Sequence, residues 1–524
     1  MFFIIANHLK QKQDFHRVNC FTSKKMKFLV SRITHAWRSQ RLSDYVKSNV
    51  PPLHVLTSAN KTARNICSTC RKVQSCPPTV KQQLHLSSSV VQPAPVDTTS
   101  PELDHQPSTA WMDEATLYVH WPYCQRRCTY CNFNKYIDSN VDHTKMQQCL
   151  VREVQTLIDM SGIKRIKSVF FGGGTPSLAK PQTLQAVLDT VAGVVDLPSN
   201  AEVTMEGNPT SVGRYKLRDF KHAGINRVSL GIQALNDDDL NVLGRDHSTT
   251  ESMHSIKEAQ KLFPGRVSLD LIFGRPGQTL PSWEQELQQV LTLCDNHVSL
   301  YQLTLERGTE LFKMHAKGEV ALPADDDVAD MYIMAVDMME EQGLRRYEVS
   351  NFAREGSECL HNQAYWEGGQ YIGIGPGAHG RFMLQKATSR SGKSEVKQGN
   401  FETLREARIQ TLEPGPWMFE VLKYGHGTRK RVCQTQLDVL QELLLVGMRT
   451  SRGVTSKRWA ELSGGCLSEV FCDDNVQRLV QDGLIVKDRT GLRATPHGMV
   501  LLDSIIPHLI LTLQEWYTGF LNLD

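Results

Sequence analysis

Three of the chain's 13 cysteines lie close enough together to bind iron. Cys124, Cys128 and Cys131 follow one another with the spacing C-x3-C-x2-C. Each iron of a four-iron cluster needs an outer ligand, usually a thiolate, so three thiolates on one loop leave the fourth iron open. The amino and carboxylate groups of S-adenosylmethionine can chelate such an iron, and an electron from the cluster could cleave the sulfonium to give a 5′-deoxyadenosyl radical. Zinc is an alternative that would need a fourth ligand, and the lack of a secretory signal disfavours disulfides.

A run of glycines follows a second short apolar segment. Residues 170–177 read Phe-Phe-Gly-Gly-Gly-Thr-Pro-Ser. Because glycine has no side chain, a ligand can approach the backbone there, and the backbone N–H and C=O groups can bind it. A tight turn is the alternative interpretation. Placed after a strand and behind the cysteine loop, the run predicts a wall of the same binding site.

Polar side chains end other predicted strands. Glu206 ends the third strand, Gln233 follows the fourth, Asp270 lies in the fifth, and Arg245 comes shortly after the fourth. Such groups are costly inside a sheet and useful at the open end of a barrel, where βα-barrel proteins bind their ligands. A capping carboxylate or a structural salt bridge is the alternative for any one of them.

Short β-branched or aromatic runs alternate with amphipathic helical stretches along the body of the chain. Strands are predicted at residues 117–121, 168–171, 202–206, 227–232, 267–273 and 297–305, and helices at 144–160, 181–194, 212–223, 249–262 and 281–294. The distance between strand starts leaves room for one crossover helix each. We therefore predict an α/β fold in which six parallel strands form a partial (β/α)6 barrel.

The residues from Leu117 to Tyr136, which include the cysteine loop, resemble the radical S-adenosylmethionine superfamily. More closely, they look like the branch that holds oxygen-independent coproporphyrinogen III oxidase and the HemW-type haem chaperone, over about residues 115–508. The resemblance implies a radical-SAM barrel at residues 115–310 with a [4Fe-4S] cluster on the three cysteines and S-adenosylmethionine as a second cofactor. The cofactor-contacting positions that it implies are Tyr118, Tyr130, Gly173, Gly174, Thr175, Glu206, Gln233, Arg245, Asp270 and Thr304.

Two features favour the chaperone branch over the oxidase. The oxidase carries a further cysteine two residues after the third, whereas Phe133 gives this chain the Cys-x-Phe form of the chaperone. Residues 359–366 resemble the chaperone's haem-binding motif. Haem iron takes an axial His or Cys, and aromatic side chains can pack on the macrocycle, although a lone loop histidine is more often simply hydrogen-bonded. The resemblance makes His361 the predicted haem ligand, with Cys359 and His379 as weaker candidates.

These features together predict a haem chaperone that uses the cluster and S-adenosylmethionine. Its partners would be haem, an acceptor haemoprotein and an electron donor. Catalysis is left open, with coproporphyrinogen oxidation disfavoured by Phe133. The alternative is a radical enzyme that acts on a porphyrinogen. A radical enzyme that modifies RNA is a further alternative, disfavoured by the acidic body of the chain.

Basic residues concentrate near the start of the chain. Residues 1–90 hold 15 Lys and Arg against two acids, a net charge of +13, whereas the rest of the chain carries −10. Residues 26–41 form an amphipathic, basic, acid-poor pattern typical of a mitochondrial transit peptide, and residues 87–108 are a Ser/Pro/Thr-rich linker. We predict that residues 1–110 are a transit peptide and disordered linker and that the protein is mitochondrial. A nucleic-acid arm is the alternative, but aromatic residues hardly interleave with the basic ones.

The C-terminal part is predicted to be a winged-helix-like α+β domain at residues 401–524, after a barrel extension at residues 311–400. Its pattern gives helices at 437–448 and 474–482 and strands at 484–487 and 491–494. Acids such as Asp473 and Asp474 would repel phosphates, so we predict no nucleic-acid partner. Contents of 40% hydrophobic and 22% charged residues exclude wholesale disorder, and the lack of an 18-residue apolar run predicts no transmembrane segment.

Overall fold

The computed structural model describes residues 112–210, 214–384 and 405–521. The predicted transit peptide and linker, residues 1–110, lie outside these ranges. Within them, no helix is both long and apolar enough to cross a membrane.

The described elements alternate as the sequence predicts. The strands are β1 Glu114–Trp121, β2 Tyr123–Cys124, β3 Tyr136–Ile137, β4 Arg165–Gly173, β5 Glu202–Gly207, β6 Arg227–Gln233, β7 Val267–Phe273, β8 His297–Gln302, β9 Arg345–Glu348, β10 Asn351–Ala353, β11 Tyr371–Ile374, β12 His379–Met383, β13 Arg405–Gln410, β14 Thr428–Gln434, β15 Val454–Thr455, β16 Ile485–Asp488 and β17 Gly491–Ala494. The helices are α1 His143–Ser161, α2 Pro181–Val194, α3 Arg214–His222, α4 Asp237–Val242, α5 Thr249–Leu262, α6 Leu280–Leu293, α7 Glu310–Ala316, α8 Asp325–Glu341, α9 Leu360–Trp366, α10 Pro414–Tyr424, α11 Gln436–Gly447, α12 Ser456–Ser463, α13 Leu467–Val470, α14 Asp474–Gln481, α15 Pro496–Val500 and α16 Leu502–Leu521.

Twelve strands form one sheet in the order β14-β13-β12-β11-β1-β4-β5-β6-β7-β8-β10-β9. The run from β11 to β8 is parallel, and the strands added at both flanks are antiparallel. Its six central strands, β1 and β4 to β8, are the six predicted ones. The sheet does not close on itself within the described residues, so the predicted α/β fold with a partial barrel is confirmed.

The two faces of this sheet have opposite character. Alternate residues of a strand face opposite sides, and Leu117, Val203 and Leu269 lie in the main apolar core with the helices. Tyr118 and Glu206 instead face the barrel interior, where both lie beside Gly172. Polar groups therefore line the interior from the end where the parallel strands begin, here called the base, to the end where they stop, here called the mouth.

The C-terminal part has its own core. A three-stranded sheet, β15-β17-β16, packs with α11 to α16 around a second apolar cluster that begins at Val439. Strands β13 and β14 belong to the large sheet, so the predicted division between residues 400 and 401 falls inside that sheet. Glu442 on α11 pairs with the buried Arg381 of β12 (3.2 Å) and Arg405 of β13 (3.1 Å), which joins the two parts.

Candidate functional site

The cysteine loop is fixed to the barrel through Thr129. The Thr129 N–H donates to the Leu243 carbonyl (3.0 Å), and its hydroxyl donates to the Val242 carbonyl (2.8 Å). Its own carbonyl accepts a hydrogen bond from the Leu311 N–H at the start of α7 (2.9 Å). The segments that follow β6 and β8 therefore hold the loop at the mouth.

Two of the three cysteine sulfurs accept hydrogen bonds from side chains of the barrel. Thr175 Oγ1 donates to Cys124 Sγ, and Arg245 Nη1 donates to Cys128 Sγ, both at 3.3 Å. All three cysteines are half-buried. Burial raises the pKa of the Cys124 thiol to about 11 and also raises that of Cys131. The Thr175 hydroxyl opposes that effect at Cys124, because a donor stabilises a thiolate or a metal-bound sulfur.

These residues fit a [4Fe-4S] cluster with one open iron. In the described ranges the three thiols are not drawn together into a preformed set of metal ligands. The fit rests on the donor chemistry instead: three thiols on one anchored loop, with a hydroxyl and a guanidinium directed at two of the sulfurs. Such hydrogen bonds are among the factors that tune iron–sulfur clusters.

The glycine run ends β4 and packs against the end of β1. Gly173 has a φ of +112°, and a Cβ there would lie 2.5 Å from the His120 ring. A Cβ on Gly174 would lie 2.9 Å from the Trp121 carbonyl oxygen and 2.8 Å from that of Tyr123. The approach of the chain's own strands therefore already requires these glycines, and the ligand contact stays a prediction.

His120 was not singled out from the sequence, although it connects β1 to the cysteine loop. Its Nδ1 is hydrogen-bonded to the Tyr118 hydroxyl (3.1 Å) and its Nε2 to the Asn134 carbonyl (2.8 Å). The Asn134 amide in turn donates to the Pro376 and Leu412 carbonyls, both at 2.9 Å. Burial lowers the pKa of His120 to about 4, so the ring is neutral at pH 7. In the sequence, the role of His120 is indicated by its position just before the cysteines.

Glu206 and Asp270 place two buried carboxyl groups inside the barrel, Glu206 next to the end of β5 and Asp270 in the middle of β7. Glu206 accepts a hydrogen bond from the Gly173 N–H (3.0 Å), and Asp270 accepts one from the Ser229 hydroxyl (2.7 Å). Burial raises the pKa of both groups, and the negative charge of Asp270 further raises the pKa of Glu206, to about 7. Carboxyls with perturbed pKa values inside a cleft are typical of a ligand site.

Gln233 at the end of β6 has a φ of 70°, in the left-handed region that non-glycine residues seldom occupy. Arg275 holds this backbone: its Nη1 donates to the Gln233 carbonyl (3.3 Å) and to the Ile272 carbonyl (2.7 Å). Its Nη2 is fixed by Glu286 (2.6 Å) and Asp239 (2.9 Å). Strained backbone of this kind clusters at ligand sites, and local sequence carries no signal for it.

The remaining predicted cofactor contacts lie at different depths. Tyr118 is buried and stacks on Phe170, with the ring centroids 6.3 Å apart. Tyr130 packs with a small apolar cluster that includes Leu311, and burial, followed by the nearby Cys128, raises its pKa. Thr304 is exposed, two residues beyond the end of β8.

The predicted haem ligand, His361, is buried inside the barrel and not at its mouth. It lies on α9 with 1% of its surface exposed. Its Nδ1 is hydrogen-bonded to the Ser168 hydroxyl (3.0 Å) and its Nε2 to the Tyr365 hydroxyl (2.7 Å). The ring also stacks on Phe170, with centroids 5.1 Å apart. In this conformation neither ring nitrogen is available to an iron.

The weaker haem candidates are separated from one another. Cys359 Sγ donates to Glu202 Oε1 (3.2 Å), and the other carboxylate oxygen faces the buried Arg227 Nε (3.7 Å). His379 starts β12, half-buried and in register with Ile409 of β13. The sequence analysis did not predict the Glu202–Arg227 pair. A charged residue at the first position of two successive strands could have indicated it.

Two family models match the chain. The model of the Radical SAM superfamily matches residues 118–290, which contain the cysteine loop, the glycine run and the polar strand ends. The model of the HemN C-terminal domain matches residues 434–501.

Curated relatives align over most of the chain. The protein named Radical S-adenosyl methionine domain-containing protein 1, mitochondrial, from Danio rerio is 48% identical over 406 residues, which cover 77% of this chain and 88% of the relative. Its counterpart from Bos taurus is 49% identical over 403 residues, covering 76% and 88%. Heme chaperone HemW from Bacillus subtilis (strain 168) is 32% identical over 394 residues, covering 74% and 97%.

A solved structure also aligns with the chain. Coproporphyrinogen III oxidase (HemN) from Escherichia coli, a radical SAM enzyme, has a TM-score of 0.61 at 18% identity and covers 77% of this chain and 90% of its own. At this identity the likeness shows the fold alone.

Proposed function

The chain belongs to the radical S-adenosylmethionine superfamily, in the group that contains the mitochondrial proteins named Radical S-adenosyl methionine domain-containing protein 1 and the HemW proteins. From this membership we propose that it is a mitochondrial haem chaperone. It binds haem and passes it to an acceptor haemoprotein. A [4Fe-4S] cluster on Cys124, Cys128 and Cys131 and S-adenosylmethionine are its resident cofactors. The name of the Bacillus subtilis relative supports the cargo.

The observation that carries this proposal is the residue that follows the cysteine loop. Phe133 stands where the oxidase branch has a further cysteine, and its side chain is 37% exposed. A phenyl ring provides no metal ligand, but it provides an apolar face on which a flat macrocycle can pack. This favours carrying haem over converting a porphyrinogen.

The chain's own residues in the barrel have two roles: some contact the cluster ligands, and others would contact S-adenosylmethionine. Thr175 and Arg245 donate to two of the cysteine sulfurs, while Glu206 and Asp270 would supply acceptors for the polar groups of S-adenosylmethionine. The cluster, when bound, supplies an electron and an open iron to that cofactor.

His361 stays the proposed haem ligand, and its surroundings set a condition. Because both ring nitrogens are hydrogen-bonded, binding of iron by His361 requires the ring to break its hydrogen bond to Ser168 or to Tyr365.

Tyr365→Phe removes the hydroxyl that competes for Nε2. We therefore expect haem affinity to rise about fivefold, which corresponds to one hydrogen bond of about 1 kcal/mol. His361→Ala should lose haem. Titration of both variants with haem, followed optically, tests the assignment: unchanged affinity in both would exclude His361 as the ligand.

The chaperone function itself is tested with protein reconstituted anaerobically. We expect an iron–sulfur absorption spectrum, a Soret band on addition of haem, and transfer of that haem to apomyoglobin as the acceptor probe. Turnover of coproporphyrinogen III with release of 5′-deoxyadenosine would contradict the proposal and favour the enzyme alternative.

The mitochondrial location is tested by fusing residues 1–110 to a fluorescent protein. We expect the fusion to enter mitochondria, in line with the names of the vertebrate relatives. A matched fusion in which Arg32, Arg38 and Arg41 are changed to Glu should stay outside, because the presequence pattern depends on positive charge. Import of both fusions, or of neither, would contradict the transit-peptide prediction.

A further inference from the structure

Arg245 is a charged side chain that donates to the sulfur of a cluster ligand, whereas the nearby Lys135 Nζ donates to the Cys131 carbonyl (2.5 Å). Its Nη1 donates to Cys128 Sγ (3.3 Å), and its Nη2 donates to the Gly231 carbonyl (2.9 Å) and to Asn208 Oδ1 (2.5 Å). Three acceptors therefore fix the guanidinium, and one of them is a thiol of the cluster loop.

Asn208 is oriented so that its acceptor faces Arg245. Its Nδ2 donates to Asp246 Oδ1 and to Thr210 Oγ1, both at 2.9 Å. Because these bonds use both amide protons, the carbonyl oxygen must point away from them, toward the guanidinium. A continuous chain of hydrogen bonds thus runs from Asp246 through Asn208 and Arg245 to Cys128.

The side-chain donor at Cys124 is neutral. Thr175 Oγ1 lies at the same distance, 3.3 Å, from Cys124 Sγ. The two contacts therefore differ mainly in charge, and a charge-assisted hydrogen bond is roughly twice as strong as a neutral one. Thr175 therefore serves as a control for the effect of the positive charge of Arg245 on the cluster.

A cluster bound by three thiolates becomes more negative when it gains an electron. Hydrogen bonds to the sulfurs and the charge around a cluster help to set its reduction potential. A guanidinium fixed at one sulfur stabilises the reduced cluster more than the oxidised one. We propose that Arg245 raises the reduction potential of the cluster through Cys128, and that Asn208 is the positioning residue that holds Arg245 there.

This inference rests on the cluster of the proposed function and is independent of haem. The test is a redox titration of the reconstituted full chain without S-adenosylmethionine, followed by electron paramagnetic resonance. In Arg245→Gln the ratio of reduced to oxidised cluster at a fixed potential should fall about tenfold, which is a shift of about 59 mV for a one-electron couple. Arg245→Lys, which keeps the charge but not the planar fork, should lower the potential less.

Two further variants complete the test. Asn208→Ala should also lower the potential, because Arg245 loses an anchor while its charge is kept. Thr175→Val, which removes the neutral donor, should shift the potential less than Arg245→Gln. Equal shifts in the Thr175 and Arg245 variants, or wild-type potentials in Arg245→Gln and Asn208→Ala, would overturn the inference.

Cluster assembly is followed by the ratio of iron to protein, which separates the two proposals. If Arg245→Gln fails to assemble a cluster, Arg245→Lys and Asn208→Ala decide the inference. If the wild-type chain itself assembles no cluster, the cofactor part of the proposed function fails instead.

Discussion

The mouth and the base of the barrel hold the same kinds of side chain in opposite states. At the mouth, Cys124, Cys128 and Cys131 are half-buried on a loop that the segments after β6 and β8 anchor. At the base, Cys359 and His361 are 4% and 1% exposed, and both are engaged by buried partners. Burial and the engagement of each group by its neighbours, and not residue type, therefore distinguish the cysteines of the mouth from Cys359 and His361 at the base.

The largest expected difference concerns iron binding. Cys128→Ser should abolish the iron–sulfur absorption and most of the bound iron, because a hydroxyl replaces one of three thiolates. Cys359→Ser, the matched change at the base, should leave the iron content as in the wild type. Iron and sulfide analysis after anaerobic reconstitution measures both variants. Loss of iron in both would show that the base takes part in the metal site.

A second comparison sets a strained glycine at the mouth against an unconstrained one. Gly173→Ala places a Cβ 2.5 Å from the His120 ring at a φ of +112°, so unfolding free energy should fall by about 1–3 kcal/mol or more. Gly193→Ala, in α2 with nothing within 4 Å of the added Cβ, should raise it by up to about 1 kcal/mol. Urea unfolding measures both. A neutral Gly173→Ala would mean that β1 and β4 can separate at the mouth.

A further expected effect is a pH dependence that comes from His361 at the base. Burial lowers the pKa of His361 to about 3, against about 6.5 in the unfolded chain. The folded state therefore excludes the proton that the unfolded state takes up. The stability that His361 contributes is fully present above pH 6.5 and falls by about 1.4 kcal/mol per pH unit as the pH drops from there toward 3.

His361→Gln should reduce this slope of stability against pH, because the unfolded state then binds one proton fewer relative to the folded state. His254→Gln, at an exposed position of α5, is the control and should leave the slope unchanged. Urea midpoints between pH 4.5 and 7.5 give the slopes. An unchanged slope in His361→Gln would show that the ring is accessible to protons in the folded protein.

The sequence predicted the central strands and the position of the cysteine loop, because both depend on local patterns. The predicted bounds of β7, α2 and α5 coincide with those observed. A cysteine triplet directly after a strand has to lie at the mouth, whatever the rest of the sheet does.

Features that depend on distant contacts could not be predicted. His361 owes its burial partly to Ser168, which is 193 residues away in the chain, and a motif spacing carries no information on such a contact. Residues 405–434 looked like part of the C-terminal domain because a local pattern does not say which sheet a strand joins. Asn208 had no signal either, since its role appears only once Arg245 lies beside it.

In the proposed function, the mouth holds a cluster with one iron open to S-adenosylmethionine. Electron paramagnetic resonance of the reduced, reconstituted chain tests it most directly, with and without S-adenosylmethionine. We expect a [4Fe-4S] signal whose g-values shift when S-adenosylmethionine is added, in the wild type and in Cys359→Ser alike. A reduced spectrum that is identical with and without S-adenosylmethionine, or the absence of a cluster signal, would contradict the account.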